Sequence, residues 1–109
     1  GMISTAHKRG LALAADFDEA VQSMLQLNTM GEVFGKQHYI HAMTDITGFG
    51  LLGHLVEVCE GSGLSAEINY ANIPLLKNIS HYASNMIYPD NTMRNWNSYQ
   101  DKIEGIGSE

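Results

Sequence analysis

Apolar positions along this chain change their spacing from one stretch to the next, and each spacing predicts an element. Asp16-Phe17-Asp18-Glu19 has the Asp-x-x-Glu form of a helix amino-terminal cap, and Ala20, Val21, Met24 and Leu25 continue at three- and four-residue steps. This predicts a helix over about 16–36. Gly31 and Gly35 weaken its last turns or mark a break, since Gly in a helix interior costs about 1 kcal/mol relative to Ala. Tyr39 to Met43 has the β-branched and aromatic content of a short strand. Leu51, Leu52, Leu55, Val56 and Cys59 return to helical spacing, and Gly63 suits a left-handed cap after them. Leu64, Ala66 and Ile68 then alternate with Ser65, Glu67 and Asn69, the period of a half-buried strand.

The flanks are less periodic. Residues 2–6 read as an extended piece or a helix start. Pro74 is permitted in the first turn of a short helix over about 75–85, and Tyr88-Pro89-Asp90-Asn91 is a loop by composition. From Thr92 to the terminal Gly105-Ile106-Gly107-Ser108-Glu109 little periodicity is visible, and the chain reads as stopping before a strand that would close a sheet. The expected fold is α/β (α+β): one truncated domain over 1–109, a partial layered structure with a mixed sheet and packed helices. If its two strands are parallel neighbours, the intervening helix is a right-handed crossover.

The stretch with the most chemical content is Thr44-Asp45-Ile46-Thr47-Gly48-Phe49-Gly50-Leu51-Leu52-Gly53-His54. Asp45 falls at the carboxyl end of the first expected strand, where sheet-based folds gather ligand groups. Gly48 and Gly50 allow positive φ or close approach of a ligand, and the helix behind them offers N–H donors and a favourable dipole to an anion. A strand, glycine turn and helix also occur in many proteins that bind nothing there.

Composition narrows the classes. With 44% hydrophobic and 17% charged residues the chain is ordinary globular material, so disorder is not expected. A net charge of −6 with only 6 Lys and Arg leaves no basic footprint for nucleic acid or an anionic membrane. No apolar run approaches the roughly 20 residues of a membrane span. The single cysteine, Cys59, excludes an internal disulfide and a thiolate zinc site and points to the reducing cytoplasm. The 5 histidines lack the pairing of a zinc motif.

Ala42-Met43-Thr44-Asp45-Ile46-Thr47-Gly48-Phe49-Gly50-Leu51-Leu52-Gly53-His54 closely resembles the carboxyl-terminal domain of the selenide, water dikinases, or selenophosphate synthetases, within the aminoimidazole ribonucleotide synthetase superfamily. Ser4-Thr5-Ala6-His7-Lys8-Arg9-Gly10, Gly61-Ser62-Gly63-Leu64-Ser65-Ala66-Glu67-Ile68, Ile73-Pro74-Leu75-Leu76 and Thr92-Met93-Arg94-Asn95-Trp96 with Ser98-Tyr99 are similar to family segments too. The resemblance spans nearly the whole chain but about a third of a family enzyme. The ATP-binding amino-terminal domain with its catalytic Cys or selenocysteine and Lys is absent, as is a later Pro-Gln-Thr-Ser-Gly-Gly segment.

The resemblance implies ATP-dependent conversion of selenide and water to selenophosphate, AMP and orthophosphate, with Mg²⁺ holding the phosphates. Asp45 matches the family's metal-binding carboxylate at the cleft, while Thr47, Gly48 and Gly50 shape the cofactor-binding turn. No catalytic residue is assigned, and the chain alone is expected to be inactive and to bind neither Mg²⁺ nor ATP tightly. The family suggests a homodimer. Cys59 reads as a small buried core residue, His54 as a packing or capping residue, and Trp96 and Tyr99 as partial core or interface. Arg94 and Asn95 fit a phosphate contact, a subunit contact or an exposed loop. The alternative reading is a stand-alone, non-catalytic structural or dimerisation module derived from the same domain. A domain of another superfamily synthetase is disfavoured by Phe49 and by Arg94-Asn95.

Overall fold

The computed structural model describes residues 1–106; Gly107, Ser108 and Glu109 of the expected glycine-rich tail lie outside the described residues. Among the described residues six α-helices follow one another: α1 Met2–Lys8, α2 Ala14–Leu25, α3 Thr29–Gly35, α4 Gly50–Ser62, α5 Ile79–Ser84 and α6 Thr92–Tyr99. Short 3₁₀ turns occupy Tyr70–Asn72 and Gln100–Lys102. No strand forms among the described residues, so the expected α/β layering with a mixed sheet is not what the chain adopts.

The reason is that a strand, unlike a helix, is not a local structure. Its N–H and C=O groups need a second strand, and its alternating side chains need a surface to pack on. Among the described residues, the two segments expected to be strands find no such partner strand. Tyr39 is 60% exposed, Met43 55% and Leu64 71%, so their apolar faces are left largely uncovered by the described residues.

The chain divides into two compact units, Gly1–Glu32 with Asn69–Asp90, and Val33–Ile68 with the chain from Asn91 onward. In the first, α1, α2 and α5 enclose a small core of Ile3, Ala6, Ala20, Tyr82 and Ile87, with Phe17, Leu76 and Ile79 packed around it. Ile3 and Ala6, one turn apart, fall on one face of α1, which settles the ambiguous 2–6 segment as helix. His7, a turn behind Ile3, stacks on Phe17 with ring centroids 3.8 Å apart.

The Asp-x-x-Glu sequence does not cap its own helix. Leu13 is the N-cap of α2, and Asp16 and Glu19 reach instead to the start of α5. Glu19 Oε1 accepts the Lys77 N–H at 2.8 Å, and Asp16 Oδ2 accepts from the Asn78 side-chain amide at 3.0 Å. The acids therefore satisfy donors around another helix's amino terminus. The expected helix over 16–36 is two helices, and its break falls at residues 26–28, where Gln26 is extended, rather than at Gly31 or Gly35.

Two helix ends share one device. After α4, Gly63 adopts φ 66° and the Leu64 N–H returns to the Cys59 carbonyl at 3.0 Å. After α5, Met86 adopts φ 56° and the Ile87 N–H returns to the Tyr82 carbonyl at 3.0 Å, delivering Ile87 to the core. Both are left-handed closures of the last turn, expected at Gly63 and unannounced at Met86, which has a side chain and pays a steric penalty for it.

Candidate functional site

In the second unit, α4 and α6 pack beside the irregular segment that carries the acid and glycines. Gly53 is where they meet. A Cβ there would lie 2.9 Å from Phe49 Cβ and 3.0 Å from Tyr99 Cε1, so only hydrogen leaves room for the contact. Trp96 is half-buried on the same helix and meets the Tyr99 ring edge-on.

The turn into α4 is held by side chains from both helices. The Gly50 N–H donates to the Thr47 carbonyl at 3.0 Å, closing the turn, and Gly50 itself sits at φ 76° with open space where a Cβ would project. Gly48 does not need positive φ, so of the two glycines only Gly50 uses that freedom. The Gly48 carbonyl accepts from Asn95 Nδ2 at 2.7 Å, and the Phe49 carbonyl accepts the Tyr99 hydroxyl at 3.2 Å.

His54, one turn into α4, is only 7% exposed. Its Nε2 accepts the Thr47 N–H at 3.0 Å and lies 2.8 Å from the Thr47 hydroxyl. A nitrogen that accepts an amide proton carries none itself, so the ring proton of the neutral imidazole is assigned to Nδ1. Nδ1 is buried without a hydrogen-bond partner, and Glu57 Oε2 at 3.6 Å is too far to serve as one. The ring also meets Phe49 edge-on at 5.7 Å. His54 thus caps the turn from inside.

Asp45 is exposed on the segment before the turn, and the Thr44 hydroxyl donates to its backbone carbonyl at 3.2 Å. No group of three or more His, Cys, Asp or Glu able to hold a metal occurs among the described residues. A divalent cation at Asp45 would therefore take at most two ligands of these types from the described residues. That is within the habit of Mg²⁺, which takes one or two carboxylates and fills its shell with water and phosphate oxygens. Thr47 and Gly48 are exposed beside it, and Gly50 is half-exposed.

Arg94 Nη2 donates to Asn91 Oδ1 at 2.9 Å, a local contact at the start of α6, whereas its neighbour Asn95 reaches the turn. Cys59 is half-buried, not the small buried core residue expected. It lines a groove of about 490 Å³ between α4 and residues 63–68, together with Leu55, Val56 and Ile68. Lys102 and Glu60 form an ion pair at its rim. No helix among the described residues is long and apolar enough to cross a membrane.

The α6 contacts are not legible in the sequence, where the stretch from Thr92 onward shows little clear periodicity even though Met93, Trp96 and Tyr99 fall at three-residue steps. One signal was available: Asn95 and Tyr99 are four apart, hence neighbours on one helix face, and both reach the turn.

A family model described as AIR synthase related protein, C-terminal domain, matches residues 3–98. The chain is 46% identical over 109 residues to a selenide, water dikinase of Pseudomonas putida, covering all of this chain and 32% of that protein. Proteins of the same name from Aeromonas hydrophila and Sulfurimonas denitrificans are each 42% identical over 106 residues, covering 97% of this chain and 31% of theirs. The chain thus spans about a third of the length of these relatives. A match that runs from α1 to the last turn of α6, and so takes in the Asp45 segment, the turn and both helices that hold it, places the chain in the family of AIR synthase related proteins, as their C-terminal domain.

Proposed function

We propose that this chain is part of a selenide, water dikinase, which makes selenophosphate from selenide, ATP and water with AMP and orthophosphate as further products. The observation that carries this reading is the 46% identity to a protein of that name across the full 109 residues. Asp45 is its contribution to metal binding, offered from an exposed segment, and Thr47, Gly48 and Gly50 form the turn beside the phosphates. Mg²⁺ supplies charge neutralisation to the phosphate oxygens when bound. What this chain's own residues do is fix the position of that carboxylate and hold the turn closed beside it. The remaining ligands, the ATP-binding residues and the nucleophile belong to the rest of the complete enzyme, so the 109-residue chain alone is inactive.

A chimera tests the proposal. The segment of the Pseudomonas putida enzyme that aligns with this chain is replaced by residues 1–109, and selenide-dependent AMP formation is followed at varied Mg²⁺. The chimera is expected to be active and its Asp45→Asn variant to lose Mg²⁺-dependent turnover. An inactive chimera that retains ATP binding, or near-normal turnover of Asp45→Asn at low Mg²⁺, would count against it.

A further inference from the structure

The residues around the turn point past Asp45 to the groups that hold it in place. Thr47 and Gly48 are consecutive, and two side chains from different helices take hold of their backbone. On one side His54 Nε2 accepts the Thr47 N–H at 3.0 Å, and on the other Asn95 Nδ2 donates to the Gly48 carbonyl at 2.7 Å. The two grips have opposite polarity, an acceptor for the N–H and a donor for the C=O, so neither residue could do the other's work in its present tautomer or amide orientation.

The His54 grip is made at a cost. Holding Nε2 free to accept leaves the Nδ1 proton buried with no acceptor, a group that normally finds one. Turning the ring over would not keep the amide bond, and Glu57, 60% exposed and 3.6 Å away, does not approach closely enough to relieve it.

We infer that His54 and Asn95 are positioning residues: together they clamp the Thr47–Gly48 backbone and thereby set where Asp45, two residues upstream, presents its carboxylate to the metal. The inference rests on the reading of Asp45 as a magnesium ligand given above. It assigns to Asn95 an amide donor role that aspartate cannot fill, and to His54 an acceptor role that glutamine can.

The test uses the same chimera and reads two independent quantities. The first is backbone hydrogen exchange of peptides covering residues 44–50, followed by mass spectrometry without substrates. The second is the separation of kcat from the Mg²⁺-ATP concentration giving half-maximal rate. His54→Leu and Asn95→Asp are expected to speed exchange in 44–50 while leaving peptides of α2 and α5 unchanged. Each is also expected to raise the half-saturating Mg²⁺-ATP concentration about tenfold, the lower end of what outer-shell partners of a metal ligand contribute. His54→Gln, which keeps an acceptor near Nε2, is expected to restore most of both. The clamp is refuted by unchanged exchange in 44–50, by a fall in kcat alone with half-saturation unmoved, or by His54→Gln behaving like His54→Leu. If Asp45→Asn leaves Mg²⁺ dependence intact while the exchange results hold, the metal reading fails and the clamp stands as a feature of the turn only.

Discussion

The Tyr82 hydroxyl on α5 donates to Asp16 Oδ2 across 2.5 Å and accepts the Leu13 N–H at 3.1 Å. One oxygen, on a fully buried ring, therefore serves both the N-cap residue of α2 and an acid in that helix's first turn. With Asn78 donating to the same carboxylate oxygen, α2 and α5 are joined by a small polar network at the edge of the core.

That network makes the stability of the first unit depend on pH in two places. The Tyr82 hydroxyl and then the Asn78 amide hold the Asp16 carboxyl below its ordinary value. Its contribution is present above the unfolded pKa of about 4 and is lost as pH falls through the lowered folded value. The Asp16 bond, followed by burial, raises the Tyr82 hydroxyl. That contribution is present below the unfolded pKa of about 10 and is lost as pH rises through the raised one. Urea unfolding from pH 2 to 11 should show both arms, with a shallower acid arm in Asp16→Asn and a shallower alkaline arm in Tyr82→Phe. An acid arm of unchanged slope in Asp16→Asn would remove Asp16 from the account.

The core is small enough that single truncations should be felt. Ile87 is 5% exposed and is held in place by its own N–H bond to the Tyr82 carbonyl. Ile87→Ala should cost about 2–5 kcal/mol, the usual range for emptying a buried aliphatic site. Chemical denaturation with an unchanged m-value is the check; a loss within about 0.5 kcal/mol, the range of neutral surface substitutions, would mean the site collapses freely.

Met86 offers the opposite experiment. It holds φ 56° with its side chain 76% exposed, so it bears the left-handed strain while packing little. Met86→Gly removes a penalty of about 1–2 kcal/mol and adds some unfolded-state entropy. A net gain of up to about 1 kcal/mol in thermal unfolding is expected, and a clear loss would show that the Met86 side chain matters after all.

Two glycines of α4 should respond in opposite directions to the same change. Gly61 has nothing within 4 Å of its missing Cβ, so Gly61→Ala should gain up to about 1 kcal/mol from helix propensity. Gly53→Ala makes the same propensity gain but drives a methyl into Phe49 Cβ and the Tyr99 ring, an overpacking that costs about 1–3 kcal/mol. It should lower Tm and loosen the Tyr99 hydroxyl bond to the Phe49 carbonyl. Equal shifts for the two variants would mean that α4 and α6 do not pack at Gly53.

The helix that begins at Gly50 and its left-handed end at Gly63 are written in neighbouring residues, because helical spacing and a glycine cap act within a few positions of each other. The sequence also carried the family resemblance and singled out the stretch around Asp45. Tertiary structure decided the rest. Residues 39–43 and 64–68 have strand-like patterns, yet strand formation is a property of pairs, and no paired strand occurs among the described residues. Asp16 and Glu19 have the sequence of a local cap, but their carboxylates are taken up around the start of α5, about sixty positions away in the chain, a choice that no window of neighbouring residues contains. Asn95 reaches Gly48 across a comparable gap in sequence. Periodicity reports which face of a helix is apolar; only packing decides which backbone a polar side chain on that helix comes to hold.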